Sequence, residues 1–157
     1  MSKQPPEEKR VITFDELLIR AEQLKEYLDY LANTIETYTS QAIDLQIVLA
    51  TLDSLVDGDN PVLMVLDRLN TVFIPAVIPG DWASNVIVNI GRNYYVKTSR
   101  DKAKEIVSRR LSNIRLIIER LRKQYEIVLN EYTAVQQLIS RIYEKYMTAQ
   151  REQKTAG

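Results

Sequence analysis

The chain has no cysteine and no histidine, and its 157 residues carry no net charge, with 21 basic against 21 acidic side chains. Without cysteine there is no disulfide and no thiol chemistry, and an intracellular setting is favoured. Without histidine the commonest general base and the commonest metal ligand are both missing. A zinc site lacks its usual ligands, and a Ser-His-Asp arrangement lacks its base. Glycine is scarce: Gly58, Gly80, Gly91 and Gly157 are the whole set, and none belongs to a GxxxxGK(S/T) phosphate loop. A balanced charge offers no field to draw nucleic acid or anionic lipid. No run of eighteen apolar residues is present to cross a membrane. The polar stretch Met1–Arg10, with Pro5-Pro6, lacks the apolar centre of a signal peptide. These absences predict one domain or extended unit in the cytoplasm, not an enzyme, with no cofactor, no metal, no membrane and no nucleic-acid partner.

What the chain does have is two long heptad runs. Phe14, Leu17, Ala21, Leu24, Leu28, Leu31, Ile35, Tyr38, Ala42, Leu45, Leu49, Leu52 and Val56 follow one another at spacings of three and four. Val107, Leu111, Ile114, Ile118, Leu121, Tyr125, Val128, Tyr132, Val135, Ile139, Ile142, Tyr146 and Ala149 repeat the pattern. A stripe recurring every 3.5 residues makes a coiled-coil seam, whereas a globular helix drifts to a wider stripe. Thr13 with Glu16 forms a capping box for the first helix. Asp57-Gly58-Asp59-Asn60-Pro61 ends it. The expected organisation is a flexible tail at 1–12, helix 1 at 13–57, an insert at 58–100, helix 2 at 101–151 and a tail at 152–157. Helix 1 would measure roughly 63 Å.

The insert reads as two β-hairpins. Val62–Leu66 and Thr71–Ile78 flank a turn at Asp67–Asn70, and Val86–Ile90 and Asn93–Lys97 flank Gly91-Arg92. Pro75 cannot donate to a ladder, so its strand is expected at an edge or at a bulge. Val62–Leu66 and Phe73–Ile78 are apolar on both faces, and two hairpins have no second layer of their own. Such an insert either seeks a partner, as an assembly surface, or is covered by helix ends folding back.

The helices should pair with each other, antiparallel. Residues 14–57 carry nine acids and two bases, a net of −7, and residues 101–154 carry twelve bases and seven acids, a net of +5. Same-chain pairing joins opposite signs. Nearly matching lengths, with the insert joining the inner ends, would set Val56 near Lys104 and Phe14 near Tyr146. Small Ala21 and Ala42 with large Tyr38, Tyr125, Tyr132 and Tyr146 suit a seam that alternates bulk. The basic run Arg109–Lys123 is spread around its helix and reads as a solvated face complementary to helix 1, not as a nucleic-acid surface. At the free ends Val11, Ile12, Phe14, Leu17, Leu18 and Ile19 lie opposite Leu138, Ile139, Ile142, Tyr143, Tyr146 and Met147. This surplus is either an interaction surface or a hydrophobic staple of Ile12 or Val11 on Leu17.

Helix, two hairpins and helix, in this order and size, resembles prefoldin, specifically its alpha class. Val86-Ile-Val-Asn-Ile-Gly-Arg-Asn-Tyr-Tyr-Val-Lys97 is similar to the family's "VLVxVGxGYYVEK" hairpin, followed by Ala103 early in the second helix. The beta class has one hairpin, so the long insert argues for alpha. Two departures are visible. Leu63–Asn70 holds no glycine where the family has "VPLGxG" or similar, and Asn93 stands where a second glycine is common. The resemblance implies a mainly α fold with a small β insert: an antiparallel two-helix coiled coil whose hairpins assemble into a β-barrel platform. It implies an ATP-independent holdase, joined with beta subunits as two alpha and four beta. Non-native polypeptide would be held at the tips by Val11, Ile12, Phe14, Leu18, Tyr143, Tyr146 and Met147, then passed to a group II chaperonin. Val62, Met64, Leu66, Phe73, Ile74, Val77, Val86, Val88, Ile90 and Tyr95 would carry assembly. The alternative is a structural, self-assembling coiled-coil filament without client transfer.

Overall fold

The computed structural model describes residues 12–155. The element order is α1 (Phe14–Ser54), β1 (Asn60–Val65), β2 (Phe73–Ile78), a 3-10 turn at Trp82–Ser84, β3 (Val86–Gly91), β4 (Tyr94–Thr98) and α2 (Arg100–Thr155). The chain is therefore mainly helical, with two small antiparallel hairpins between two long helices. It divides into two units: α1 as far as Glu36 with α2 from Glu119 onward, and Thr37–Ile118. Of the expected tails, residues 1–11 and 156–157 lie outside the described residues, and α2 stays helical four residues past Arg151.

In the first unit α1 opens on the expected capping box. Thr13 N donates to Glu16 Oε2 at 2.8 Å, and Glu16 N donates to Thr13 Oγ1 at 3.2 Å. Two orphan donors of the first turn are thereby satisfied. Ala21, Leu24, Leu28, Leu31, Val128 and Val135 form the buried core, with Leu17, Leu121, Tyr125, Tyr132 and Ile139 packed against it. All belong to the two heptad runs. The helices run antiparallel: Arg20 pairs with Glu131, and Gln124 donates to Tyr27 Oη. Tyr125 and Tyr132 are half-buried against this core, which suits side chains with an apolar body and a polar tip.

In the second unit the end of α1 is closed by one asparagine. Asn60, 8% exposed, accepts from Val56 N at 3.0 Å and donates to the carbonyls of Val56 and Gly58, each at 2.9 Å. Trp82 Nε1 also donates to Val56 O, at 3.0 Å, and the Arg100 guanidinium lies 5.8 Å from the Trp82 ring centre. Gly80 packs so closely that a Cβ there would stand 3.1 Å from Gly58 Cα. Ser99 Oγ accepts from Lys102 N at 3.4 Å, a cap without the reciprocal carboxylate. Ala103, with no exposed surface, sits on the first turn of α2, and Val107, Leu111 and Ile118 continue its buried stripe.

The two hairpins form separate two-stranded sheets. β1 and β2 pair in an unbroken register from Asn60↔Ile78 to Val65↔Phe73, so Pro75 sits on an edge and needs no bulge. β1 begins two residues earlier than Val62, and β2 begins at Phe73, not Thr71. The cause is Asp67. Its carboxylate accepts from Thr71 N and Thr71 Oγ1 at 2.8 Å and from Leu69 N and Val72 N at 3.0 Å. The Thr71 and Val72 amides are thus drawn into the turn. Asn70 takes a positive φ of 56° there, the conformation for which a glycine was missing. In the second hairpin the register shifts between Asn89 and Gly91, and Arg92 and Asn93 both have positive φ, so the turn lies one residue later than Gly91-Arg92.

Two tests follow from this packing. Leu31 is 1% exposed, and Leu31→Ala is expected to lower the unfolding free energy by about 2–5 kcal/mol in a urea titration. The Asp67 carboxyl is held below its ordinary value of 3.8, chiefly by the Val72 amide, then by the Thr71 hydroxyl and the Thr71 and Leu69 amides. Its contribution is therefore complete above that value and lost as pH falls through the depressed one. The Thr71 and Val72 amide shifts should titrate together with a midpoint below 3.8, and Asp67→Asn should abolish that titration.

Candidate functional site

Two apolar surfaces stand out, one in each unit. The first lies where α1 begins. Its geometry follows from the register of the seam. Arg20 is opposite Glu131 and Tyr27 opposite Gln124, a step of seven along each helix. Six residues before Arg20 is Phe14, and six after Glu131 is Gln137. Phe14 therefore stands beside Gln137 and Leu138, not beside Tyr146. The expectation of equal helices is corrected: α1 has 41 residues and α2 has 56. From Gln137 to Thr155 α2 continues by roughly 27 Å. Among the described residues no part of α1 faces Tyr143, Tyr146 or Met147.

Ile12, Leu17 and Ile19 from the start of α1 and Val135 and Leu138 from α2 line a groove of about 630 Å³, edged by Arg20 and Glu131. Ile12 shares this groove with Leu17 and remains 62% exposed. Of the residues expected at the tip, Ile12, Phe14, Leu18, Tyr143, Tyr146 and Met147 are all exposed. Val11 lies outside the described residues. The seam assignment of Tyr146 does not hold, since it is 61% exposed. Leu138 and Ile19, both exposed, lie outside the heptad runs but line the same groove as Leu17, as their placement at opposite free ends implied.

The second surface is the hairpin set. Residues directly opposed in a sheet share a face. Pro61, Leu63, Val65, Phe73, Pro75 and Val77 thus form one face of the first hairpin, and all six are exposed. On the other face Asn60 is buried, and Val62, Ala76 and Ile78 are half-buried. Of the residues expected to carry assembly, Met64, Leu66, Phe73, Ile74, Val77, Ile90 and Tyr95 are exposed, and Val62 and Val86 are half-buried. Val88 differs. It is 8% exposed and already buried within its own chain, so it supports the second hairpin and offers no surface. Leu63, Val65, Leu69, Ile87 and Tyr94 are exposed and were not singled out.

Charge does less than expected in either unit. Asp53–Lys104 joins acidic α1 to basic α2, but Arg20–Glu131 joins them in the opposite sense. Lys102–Glu105, Arg109–Glu105 and Lys123–Glu119 lie within α2. They hold the Glu105 and Glu119 carboxyls below their ordinary values. Arg110 donates to Asn89 O and ties α2 to the second hairpin. Exposed pairs contribute only about 0.2–1 kcal/mol each, against roughly 1.5–3 kcal/mol for a buried leucine. The apolar seam sets the pairing. Among the described residues no helix is long and apolar enough to cross a membrane.

The register can be tested directly, because the chain has no cysteine of its own. Leu17→Cys with Val135→Cys should cross-link under mild oxidation, read on a non-reducing gel. Phe14→Cys with Tyr146→Cys should not; the reverse result would restore the equal-length register.

The family model described as "Prefoldin subunit" matches residues 24–145. The chain is 23% identical over 150 residues to the prefoldin subunit alpha of Sulfurisphaera tokodaii, covering 96% of this chain and 97% of that protein. It is 24% identical over 131 residues to the prefoldin subunit alpha of Saccharolobus solfataricus, covering 83% and 88%. The prefoldin subunit alpha of Hyperthermus butylicus is 28% identical over 130 residues, covering 83% of each.

Proposed function

Since the chain belongs to the prefoldin family, in its alpha class, we propose that this prefoldin chaperone subunit is an ATP-independent holdase. It holds non-native polypeptide at the free end of the first unit and passes it to a group II chaperonin. It works in a hetero-oligomer of two alpha and four beta subunits, joined through the hairpins into a β-barrel platform. The observation that carries the holding role is the apolar surplus at that end. Ile12, Phe14, Leu18, Tyr143, Tyr146 and Met147 are exposed, although a seam of this length already has a sufficient core. Non-native chains expose apolar side chains without a fixed pattern. Tyr and Met suit such a client, because they contact many shapes at low conformational cost. The groove beside Ile12 is lined in part by seam residues and edged by Arg20, Glu16 and Glu131, so it carries both signs of charge.

The exposed hairpins support the assembly role. An isolated two-stranded hairpin is marginal in water, and apolar surface of this extent on a soluble chain marks an interface. The register correction alters the picture of the tip. Among the described residues Tyr143, Tyr146 and Met147 belong to a stretch of α2 that α1 does not reach, and the two-helix groove lies nearer Leu138.

The test is suppression of aggregation of a chemically denatured client by the assembled protein. Replacing Ile12, Phe14, Tyr143, Tyr146 and Met147 with Ser should reduce suppression several-fold while native mass shows the assembly intact. Unchanged suppression would remove the tip from the mechanism. Fibres from this chain alone, with no discrete particle on mixing with beta-type subunits, would favour a filament instead.

A further inference from the structure

Leu138 belongs to two hollows of the first unit. One is the two-helix groove that Ile12 also lines. The other, of about 680 Å³, follows one flank of α2, where Leu138, Arg141, Ile142, Lys145 and Ala149 line it. Among the described residues this second lining comes from α2 alone. A helix turns about 100° per residue, so these five side chains fall within about 100° around its axis. Tyr143 and Met147, both exposed, stand on the other flank, roughly 160° away from Lys145. The flanks differ in chemistry. The first sets Arg141, Glu144 and Lys145 beside Ile142 and Ala149, and the second carries no charge at Tyr143 and Met147.

We propose that the segment from Pro5 to Val11 docks antiparallel along the Leu138–Ala149 flank of α2, and that it leaves the Tyr143 and Met147 flank open to client. The second clause rests on the holding role proposed above; the docking does not. Three observations select this occupant. First, the chain preceding Ile12 starts at Leu138, the near end of the hollow. Because α1 and α2 are antiparallel, chain continued backward from Ile12 heads toward the C-terminal end of α2. Second, the length fits. Extended chain advances roughly 3.3 Å per residue and helix 1.5 Å, so Lys9 comes level with Glu144, Glu8 with Lys145 and Glu7 with Ala149. Third, at those levels Lys9 meets an acid and Glu8 meets a base. Arg10 and Arg141 are the like-charged exception, and both side chains are long enough to reach water. Pro5-Pro6 favours an extended chain and leaves fewer conformations to give up on docking. A segment tethered at Ile12 acts at an effective concentration in the millimolar range, so weak contacts suffice.

Disulfide trapping in the full chain, assembled with beta-type subunits, tests the proposal, since the chain has no cysteine of its own. Glu7→Cys is combined with Ala149→Cys on the docking flank, or with Met147→Cys at a similar height on the opposite flank. Under mild oxidation, read on a non-reducing gel, the Ala149→Cys pair should close several-fold faster than the Met147→Cys pair. In the faster background Glu8→Lys or Lys145→Glu alone should slow closure by about two- to five-fold, as expected for an exposed ion pair. The two reversals together should restore it. Equal rates for the two cysteine pairs overturn the docking. A disulfide joining two chains in place of one within a chain assigns the flank to a second copy and overturns it as well. Reversals that slow closure without mutual rescue overturn the alignment. With the Glu7–Ala149 disulfide closed, suppression of client aggregation should equal that of the reduced protein. Suppression lost on closure and regained on reduction shows that client needs this flank, and overturns the division between flanks. The serine variant of the tip tests the holding role separately, because it leaves Pro5–Val11 and the docking flank unaltered.

Discussion

Burial of the heptad seam is the interaction on which the rest depends. Leu24, Leu28 and Leu31 from α1 and Val128 and Val135 from α2 lose nearly all contact with water. Each such side chain contributes roughly 1.5–3 kcal/mol, several times what an exposed ion pair supplies. In the first unit the pairing of the helices is therefore set by side-chain burial. It also means that the hairpins need not stabilise the chain, so their composition is free to answer to something else. The Arg110–Asn89 bond and the Asn60 corner are the exceptions, because they fasten the hairpins to the helix ends.

That corner shows how little backbone is left unsatisfied. Five residues separate α1 from β1. In that space Asn60 supplies a donor and an acceptor to Val56, Trp82 adds a second donor to the same carbonyl, and Gly80 donates to Asp59 Oδ1 at 2.8 Å. Buried amide and carbonyl groups left without partners would each cost about 1–3 kcal/mol. A single buried asparagine replaces the glycine-based helix cap expected at Gly58. A side chain at residue 80 would press on the Gly58 backbone and require it to shift.

The seam was legible in the sequence because burial at a spacing of three and four cannot be hidden. Every buried residue of α1, and all those of α2 from Val107 on, fall in the two runs. The register was not legible, because a heptad stripe looks the same after a slip of one heptad. Only residues such as Arg20, Glu131, Tyr27 and Gln124 distinguish one register from another. The phase of the first hairpin escaped for a related reason. In Val62–Leu66 every side chain is apolar, so alternation carried no information about which face is exposed. Pro61 and Pro75 carried it instead: a proline in a strand takes the outward position, and Leu63 and Val65 are in step with Pro61. The glycine-free turn was likewise written in the chain, as Asp67 four residues before Thr71 and Asn70 at the position of positive φ.

The hairpin surface separates affinity from direction. Its exposed apolar face supplies attraction, which is non-directional and proportional to area. Any apolar partner would be drawn to it. Edge hydrogen bonds add only about 0.5–1.5 kcal/mol each in net terms, but they are satisfied in one alignment and left unpaired in others. An unpaired donor trapped beneath an apolar face costs more than a formed bond gains. Selection therefore works mainly by exclusion. A proline in the middle of the β2 edge leaves that edge without a donor at its centre.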